Sequence, residues 1–456
     1  MMLCNEAEML EKTIQSLLPL KKLVELELVI GVDRKSSDKT LKISKKYADV
    51  LFRFNWHNDF SEIRNQLIEK SSGDWILVSD GHEIWHDIEN IAEILLIAPQ
   101  EINAFAFMVR MNPDEGNSMG QQLRLFRNIP EIRYECAVHN RLREHGQSIA
   151  TERVWLYHDR KDKRRIERNP QRAEMIETHF NDILKENPND PRALYYLGTF
   201  YLGRSAEKDE AGRLVNPGSV NIDQDILQKA IDYLERYISV SEFYEEKYLA
   251  KWYLAQAYFH KGDYEQTRQI GFDMFEQMSE LPLGQEILAE LYMFQYKQQN
   301  NTRGLALAET WFKLARSKKK PFVSCFFPEP FFTWVPWERL TELYSIASQK
   351  EPQRIVDAIY AAEKTLSFED FPETRRIALQ QILDSWKELI GENTDSVGSG
   401  NRQFDNVHTI NTGNGGALQN KSGLVRQKFD VAKLPEYIEK SNCQRNHRQV
   451  SATVLP

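Results

Sequence analysis

An open α/β sheet followed by a stack of α-helical pairs is the architecture this sequence predicts, on three observations. Apolar strand-like runs alternate with amphipathic helical stretches over residues 26–80. The pattern changes at Asn169-Pro170, and beyond it helical periodicity takes over. Within the helical part, Leu254, Ala255 and Tyr258 return as Leu288, Ala289 and Tyr292, each 34 positions later. Strand–helix alternation builds a parallel sheet with helices on both faces. A period of about 34 residues belongs to a helix pair that buries its apolar face only by stacking on its neighbours.

In order along the chain, Met9, Leu10, Thr13, Ile14 and Leu17 recur at helical spacing and predict a first helix over 6–18. "LELVIGVD" (26–33) reads as a strand ending in Asp33. "SSDKTLKISKKYA" reads as a helix capped by Ser36, Ser37 or Asp38. "ADVLFRFNW" is a second strand, "DFSEIRNQLIEKSSG" a second helix stopped by Gly73, and "DWILVSD" a third strand. "INAFAFMVRM" (102–111) alternates as a strand does, and "QQLRLFRN", "IRYECAVHNRL" and "ERVWLYHD" read as further short strands, antiparallel in part. After residue 170 no segment reads as a strand until the far C-terminus. A polar insert, roughly 204–222, interrupts the first helical repeat, and the proline- and aromatic-rich segment 321–337 breaks the helices, which resume to about 390. Residues 391–423 are rich in Gly, Asn and Ser and read as a linker, with a small docked element possible in "KFDVAKLPEYIEKS". The expected domains are therefore 1–165, 166–390 and 391–456.

The 456 residues are 41% hydrophobic and 28% charged, an ordinary globular balance. A net charge of −8 at pH 7 argues against a nucleic-acid partner, although 158–172 is locally basic. No apolar run is long enough to span a bilayer, and the first residues lack the pattern of a signal peptide. Cys4, Cys136, Cys325 and Cys443 are too scattered for a disulfide framework or a C-x-x-C metal site, so a reducing, cytoplasmic setting is expected.

The most informative stretch is "WILVSDGHEIW" (75–85). A buried strand delivers Asp80, His82 and Glu83 at its carboxyl end, with Gly81 among them to allow a tight bend. Ligands bind at that end of the strands in open α/β sheets. The chemistry alone leaves three readings: a metal site, a catalytic pair, or a solvated turn.

The order of motifs narrows the choice. Asn5-Glu6 is followed by Asp33, Ser36, Ser37, Asp38 and Thr40, then by Trp56, Asp59, Phe60, Ser61, Arg64 and Asn65, then by Gly73, Asp74, Trp75, Asp80 and Glu83. This series resembles family 2 glycosyltransferases of the GT-A fold, and "LRLFRN" and "YECAVHN" resemble two later stretches of that family. The likeness covers residues 3 to about 165, and the helical region is similar to the subgroup carrying tetratricopeptide repeats. Three departures stand out, one of them a first strand of only Met1 to Cys4 before Asn5-Glu6. His82 occupies the position of the family's second aspartate, and Asn140 replaces a glutamate.

The resemblance implies an enzyme that moves a sugar from a nucleotide-sugar donor, UDP-linked by expectation, to an acceptor with inversion. It implies donor contacts from Asn5, Glu6, Asp33 and Asp80. A divalent ion, Mn²⁺ or Mg²⁺, would meet Asp80, with His82, His158 and His139 as further candidate ligands. An imidazole in that set suits Mn²⁺ better than Mg²⁺. Arg164 and Arg165 have the charge to cover a diphosphate, though a solvated connector explains them as well. Asp114 and Glu115, in the loop after the 102–111 strand, stand where the family places its base. A helical-repeat surface suits a protein or peptide acceptor. The alternative reading is a non-catalytic scaffold whose transferase domain has degenerated at His82.

Overall fold

The structure is a computed structural model that describes residues 1–111, 118–143, 146–158, 164–205, 222–299, 302–319 and 325–391. Three parallel strands open the chain: β1 (Met2–Leu3), β2 (Val29–Asp33) and β3 (Val50–Phe54), side by side in that order. Helix α1 (Leu10–Leu17) and a 3-10 turn (Leu20–Lys22) connect β1 to β2, and α2 (Thr40–Tyr47) connects β2 to β3. All five residues of β2 are buried, which is why that strand reads as an unbroken apolar run. Leu10, Ile14, Leu3, Ile30 and Val32 close one core between α1 and these strands.

Helix α3 (Phe60–Glu69) begins at Asp59, whose side chain accepts from the Ser61 and Glu62 amides. It ends before Gly73, the expected stop. β4 (Trp75–Leu77) then differs from expectation. It does not extend the parallel series but pairs antiparallel with β7 (Ser118–Arg127), Trp75 opposite Arg127 and Leu77 opposite Leu125. Periodicity identifies a strand, whereas its partner is chosen by distant residues, here the buried Leu125 and Phe126.

The second sheet is mixed. β5 (Glu83–His86), β10 (Gln147–His158), β6 (Ile102–Met111) and β7 lie side by side, with β10 parallel to β6 and the other pairs antiparallel. Helix α4 (Asn90–Ile97) sits between β5 and β6 in sequence. β8 (Arg133–Glu135) and β9 (Arg141–Arg143) form a separate ribbon.

From α5 (Arg164–Glu186) onward the described residues are helical apart from one short strand and the segments that join the helices. The helices are α6 (Pro191–Ser205), α7 (Gln224–Val240), α8 (Tyr244–Lys261), α9 (Tyr264–Gln277), α10 (Leu283–Gln299), α11 (Thr302–Arg316), α12 (Val335–Ser348), α13 (Arg354–Leu366) and α14 (Glu373–Gly391). Leu254 and Ala255 on α8 and Leu288 and Ala289 on α10 are buried at equivalent turns of alternate helices, as the 34-residue period predicts. Gly262, in the left-handed conformation, ends α8.

The exception is a short strand, β11 (Phe327–Pro328), in the aromatic segment where no strand was expected. It pairs antiparallel with β7, Phe327 opposite Met119 and Pro328 opposite Ser118. Proline is tolerated there because β11 is an edge strand. Val138 and the partly buried Phe60 join the core of α6, α7 and α8. Met1–Arg376 forms one compact unit by contacts, and the described residues from Ile377 on fall in a second. No helix among the described residues is long and apolar enough to cross a membrane.

Candidate functional site

Residues 78–82 join β4 to β5, and α1 fixes their path. Thr13 Oγ1 donates to the Gly81 carbonyl (3.0 Å), Ser16 Oγ accepts from the Trp85 amide (3.1 Å), and Trp85 Nε1 donates to Ser79 Oγ (2.9 Å). Gly81 does not adopt a positive φ. A Cβ there would lie 2.6 Å from Leu3 Cδ2 and 3.0 Å from Glu6 Cβ. Its role is close approach: the turn lies flush against the end of β1.

Glu83 is the hub. It is fully buried, and the register of β5 with β10 sets it opposite His158. Its Oε2 accepts from the Asp80 amide (2.8 Å), while its Oε1 pairs with Arg124 and lies 3.2 Å from His158 Nδ1. Asp80 Oδ1 accepts from Arg64 Nη2 (3.1 Å), and that guanidinium lies over the Tyr134 ring. Burial alone would raise the Asp80 carboxyl, but Arg64, then Arg124 and the two histidines, hold it well below the usual carboxylate range. Burial is likewise outweighed at Glu83, where Arg124 and His158 keep the carboxyl ionised.

His82 is 7% exposed. Its Nε2 lies 3.0 Å from His158 Nε2, with the two rings edge to face at 90°. Its Nδ1 is 3.4 Å from Glu6 Oε2, within ion-pair reach but without hydrogen-bond alignment. Burial lowers the ring's affinity for a proton. Glu6, Asp80 and Glu83 more than offset it, and the His82 pKa rises above its ordinary value.

Beside this cluster, two loops at the carboxyl ends of β1 and β2 are laced together. Asn5, at φ 57°, accepts through Oδ1 from the Ser37 (2.8 Å) and Asp38 (3.2 Å) amides. Asp38 accepts from the Ala7 and Thr40 amides, and Thr40 Oγ1 accepts from the Glu6 amide (2.7 Å). Asp33 is 4% exposed at the end of β2, where Oδ1 accepts from the Lys35 amide (2.9 Å). The result is a braced pair of loops at the place where open α/β sheets take ligands.

Residues 1–165 match the sequence model of glycosyl transferase family 2. The chain carries a family 2 glycosyltransferase domain. A TPR repeat-containing protein of Synechococcus elongatus is 33% identical over 148 residues, 30% of this chain and 33% of that one. The glycosyltransferase SunS of Bacillus subtilis is 24% identical over 209 residues, 42% of this chain and 46% of SunS. The matched part is thus less than half the length of either relative. Among solved structures, Staphylococcus aureus TarS aligns at 12% identity over 59% of this chain and 53% of that one, with a TM-score of 0.31. A Pyrobaculum calidifontis mannosyltransferase in complex with GDP-mannose and Mn²⁺ aligns at 13% identity over 58% and 85%, also at 0.31. At that TM-score neither likeness carries weight.

The glycosyltransferase domain brings Asp80, His82 and His158 together, with Asn5, Glu6 and Asp33 along the adjoining edge. His139 stands elsewhere. It stacks on Tyr196 of α6 at 4.0 Å and on Phe180 of α5, and its carbonyl accepts from Arg192. Asp114 and Glu115 lie outside the described residues, as do the side chains of Arg164 and Arg165, whose backbone begins α5. Three groups were missing from the predicted set: Glu83, Arg124 and Arg64. Each stood inside a quoted motif, so the signal was present, but the pairing that gives each its role spans 16 to 75 positions.

The transferase domain's donor atoms fit a divalent ion. Two imidazole nitrogens about 2.1 Å from one ion and about 90° apart lie about 3.0 Å from each other. That is the separation of the His82 and His158 Nε2 atoms. Among the described residues no group of three or more His, Cys, Asp or Glu side chains is arranged as a metal site. A sparse protein donor set suits an ion that shares its coordination with substrate phosphates.

Proposed function

We propose that this chain is an inverting glycosyltransferase that takes a UDP-linked sugar and delivers it to a protein or peptide acceptor in a reducing, cytoplasmic setting. The observation that carries the reading is the Asp80–Glu83 turn. Its carboxylates stay ionised although buried, braced by Arg64, Arg124 and His158.

In this reading Asp33 and Asn5 border the nucleoside, and Asp80 faces the ribose or the diphosphate. His82 and His158 hold Mn²⁺ or, less readily, Mg²⁺, which when bound offsets charge on the departing diphosphate. Asp80 needs no proton loss at the moment of reaction, because Arg64 already holds it ionised. Arg64 and Arg124 in turn stop the carboxylates from repelling a diphosphate. Arg164 and Arg165 supply further positive charge at the start of α5. Inversion requires a base across the sugar from the leaving group, and Asp114 or Glu115 takes that role. The helical repeats present the acceptor. A scaffold with a dead transferase domain would have no use for such a braced cluster of buried charges, which costs stability.

The test is nucleotide release from a panel of UDP-, GDP- and other nucleotide-linked sugars with Mn²⁺ present. Turnover of a UDP-sugar supports the proposal. Turnover confined to another nucleotide overturns the UDP assignment, and none from any donor favours the scaffold.

A further inference from the structure

We infer that Glu6 is a positioning residue for a divalent ion, orienting His82 as Glu83 orients His158. The inference rests on the ion site proposed above, and it moves Glu6 away from the donor-contact role that the family resemblance implies.

Each ring has a carboxylate within ion-pair reach on its Nδ1 side, hydrogen-bonded in the case of His158. His158 Nδ1 lies 3.2 Å from Glu83 Oε1, and His82 Nδ1 lies 3.4 Å from Glu6 Oε2. A histidine whose Nδ1–H points at a carboxylate keeps its lone pair on Nε2, the tautomer a metal needs. The two Nε2 atoms lie 3.0 Å apart: a ring that carries a proton there donates to the other, and with both rings in the metal-binding tautomer two lone pairs face each other. Two lone pairs so placed repel unless a proton or a metal ion lies between them. The arrangement is therefore built for a positive charge at that point, and the carboxylates behind each ring reinforce it.

Glu6 is well placed for this task. Its amide donates to Thr40 Oγ1 at 2.7 Å, and its carbonyl accepts from the Leu10 amide at 2.9 Å at the start of α1. The backbone is thus fixed from both sides. Gly81, without a side chain, lets the Glu6 stem run alongside the turn toward His82. His82 Nδ1 is a buried polar atom with no hydrogen bond, and the carboxylate in its reach is that of Glu6. A buried donor left unsatisfied is costly, so the pair has reason to form.

Mn²⁺ affinity of the full chain, read from the free-ion signal in electron paramagnetic resonance, tests this without turnover. Four forms are compared: wild type, Glu6→Gln, Glu6→Leu and His82→Ala. Loss of an outer-sphere carboxylate weakens metal binding by about 10–100-fold. Glu6→Leu should show that loss. Glu6→Gln should fall between it and wild type, because its carbonyl still accepts from Nδ1–H, and a merely structural role would not give this graded rescue. If Glu6→Leu unfolds, Glu6→Gln carries the test, and wild-type affinity in it overturns the inference. Unchanged affinity in Glu6→Leu with loss in His82→Ala overturns the role of Glu6 and leaves the ion site standing. Unchanged affinity in His82→Ala removes the ion site and the inference together. Loss of metal-free UDP binding in Glu6→Leu with intact Mn²⁺ affinity returns Glu6 to the donor and also overturns the inference.

Discussion

Glu83 and Arg124 form an ion pair sealed from solvent, and its behaviour on titration is a test at the scale of single residues. Removing one partner of a buried pair costs roughly 3–5 kcal/mol, because the other charge remains without compensation. Arg124→Met should destabilise the chain on that order near neutral pH. The Glu83 pKa is depressed in the folded state. Its contribution is therefore complete above the unfolded carboxylate value, about 4.3, and is lost as pH falls through the lower folded value. In Arg124→Met only His158 and the Asp80 amide still oppose the burial, so the carboxyl takes up its proton at higher pH and the uncompensated charge disappears. The gap in denaturant midpoint between wild type and variant should narrow as pH drops from 7 to 4. A gap that stays constant would mean that Glu83 is not the charge left behind. At this scale the sequence announced Asp80 and His82, because a strand end with ionisable groups is a local pattern. It did not announce Glu83 as their anchor. β5 was not read as a strand, and burial of Glu83 depends on Arg124 from β7 and His158 from β10.

Among the elements, β11 joins the helical region to the transferase sheet. It adds an edge to β7, and Gly120 makes the approach possible. A Cβ at Gly120 would lie 2.8 Å from the Cys325 carbonyl oxygen, backbone against backbone with no flexible side chain to yield. Gly120→Val should cost about 1–3 kcal/mol through overpacking. Arg110, at the end of β6, pairs with Glu329 just after β11, so neighbouring strands are held from the same segment. Unfolding followed both by the near-ultraviolet signal of the aromatics and by helix content should show one lowered transition in Gly120→Val. A variant as stable as wild type would mean that β11 sits further from β7 than described. The helices and their 34-residue period were legible because each pair repeats the same local pattern. A two-residue strand containing proline has no periodicity to read, and it exists only because β7 leaves an edge open. β4 was legible as a strand and illegible in its pairing for the same reason.

For the molecule as a whole, a transferase domain and a mainly helical region share one compact unit over Met1–Arg376. The fold class was legible because both halves declare themselves by period, two for strands and 3.6 for helices, and because the motifs stand in a fixed order. The site was legible as a place rather than as a set of contacts. We propose that the nucleotide of a sugar donor binds against Asp33, Asn5 and the Asp80 turn. Calorimetric titration of UDP into the full chain with Mn²⁺ present tests that claim most directly, with Asp33→Ala and Asp80→Asn beside wild type and melting temperatures as the check on folding. Wild type should bind saturably, and affinity should be at least about tenfold weaker in each folded variant, the loss of roughly 1.4 kcal/mol of contact. Wild-type affinity retained in both variants would contradict it.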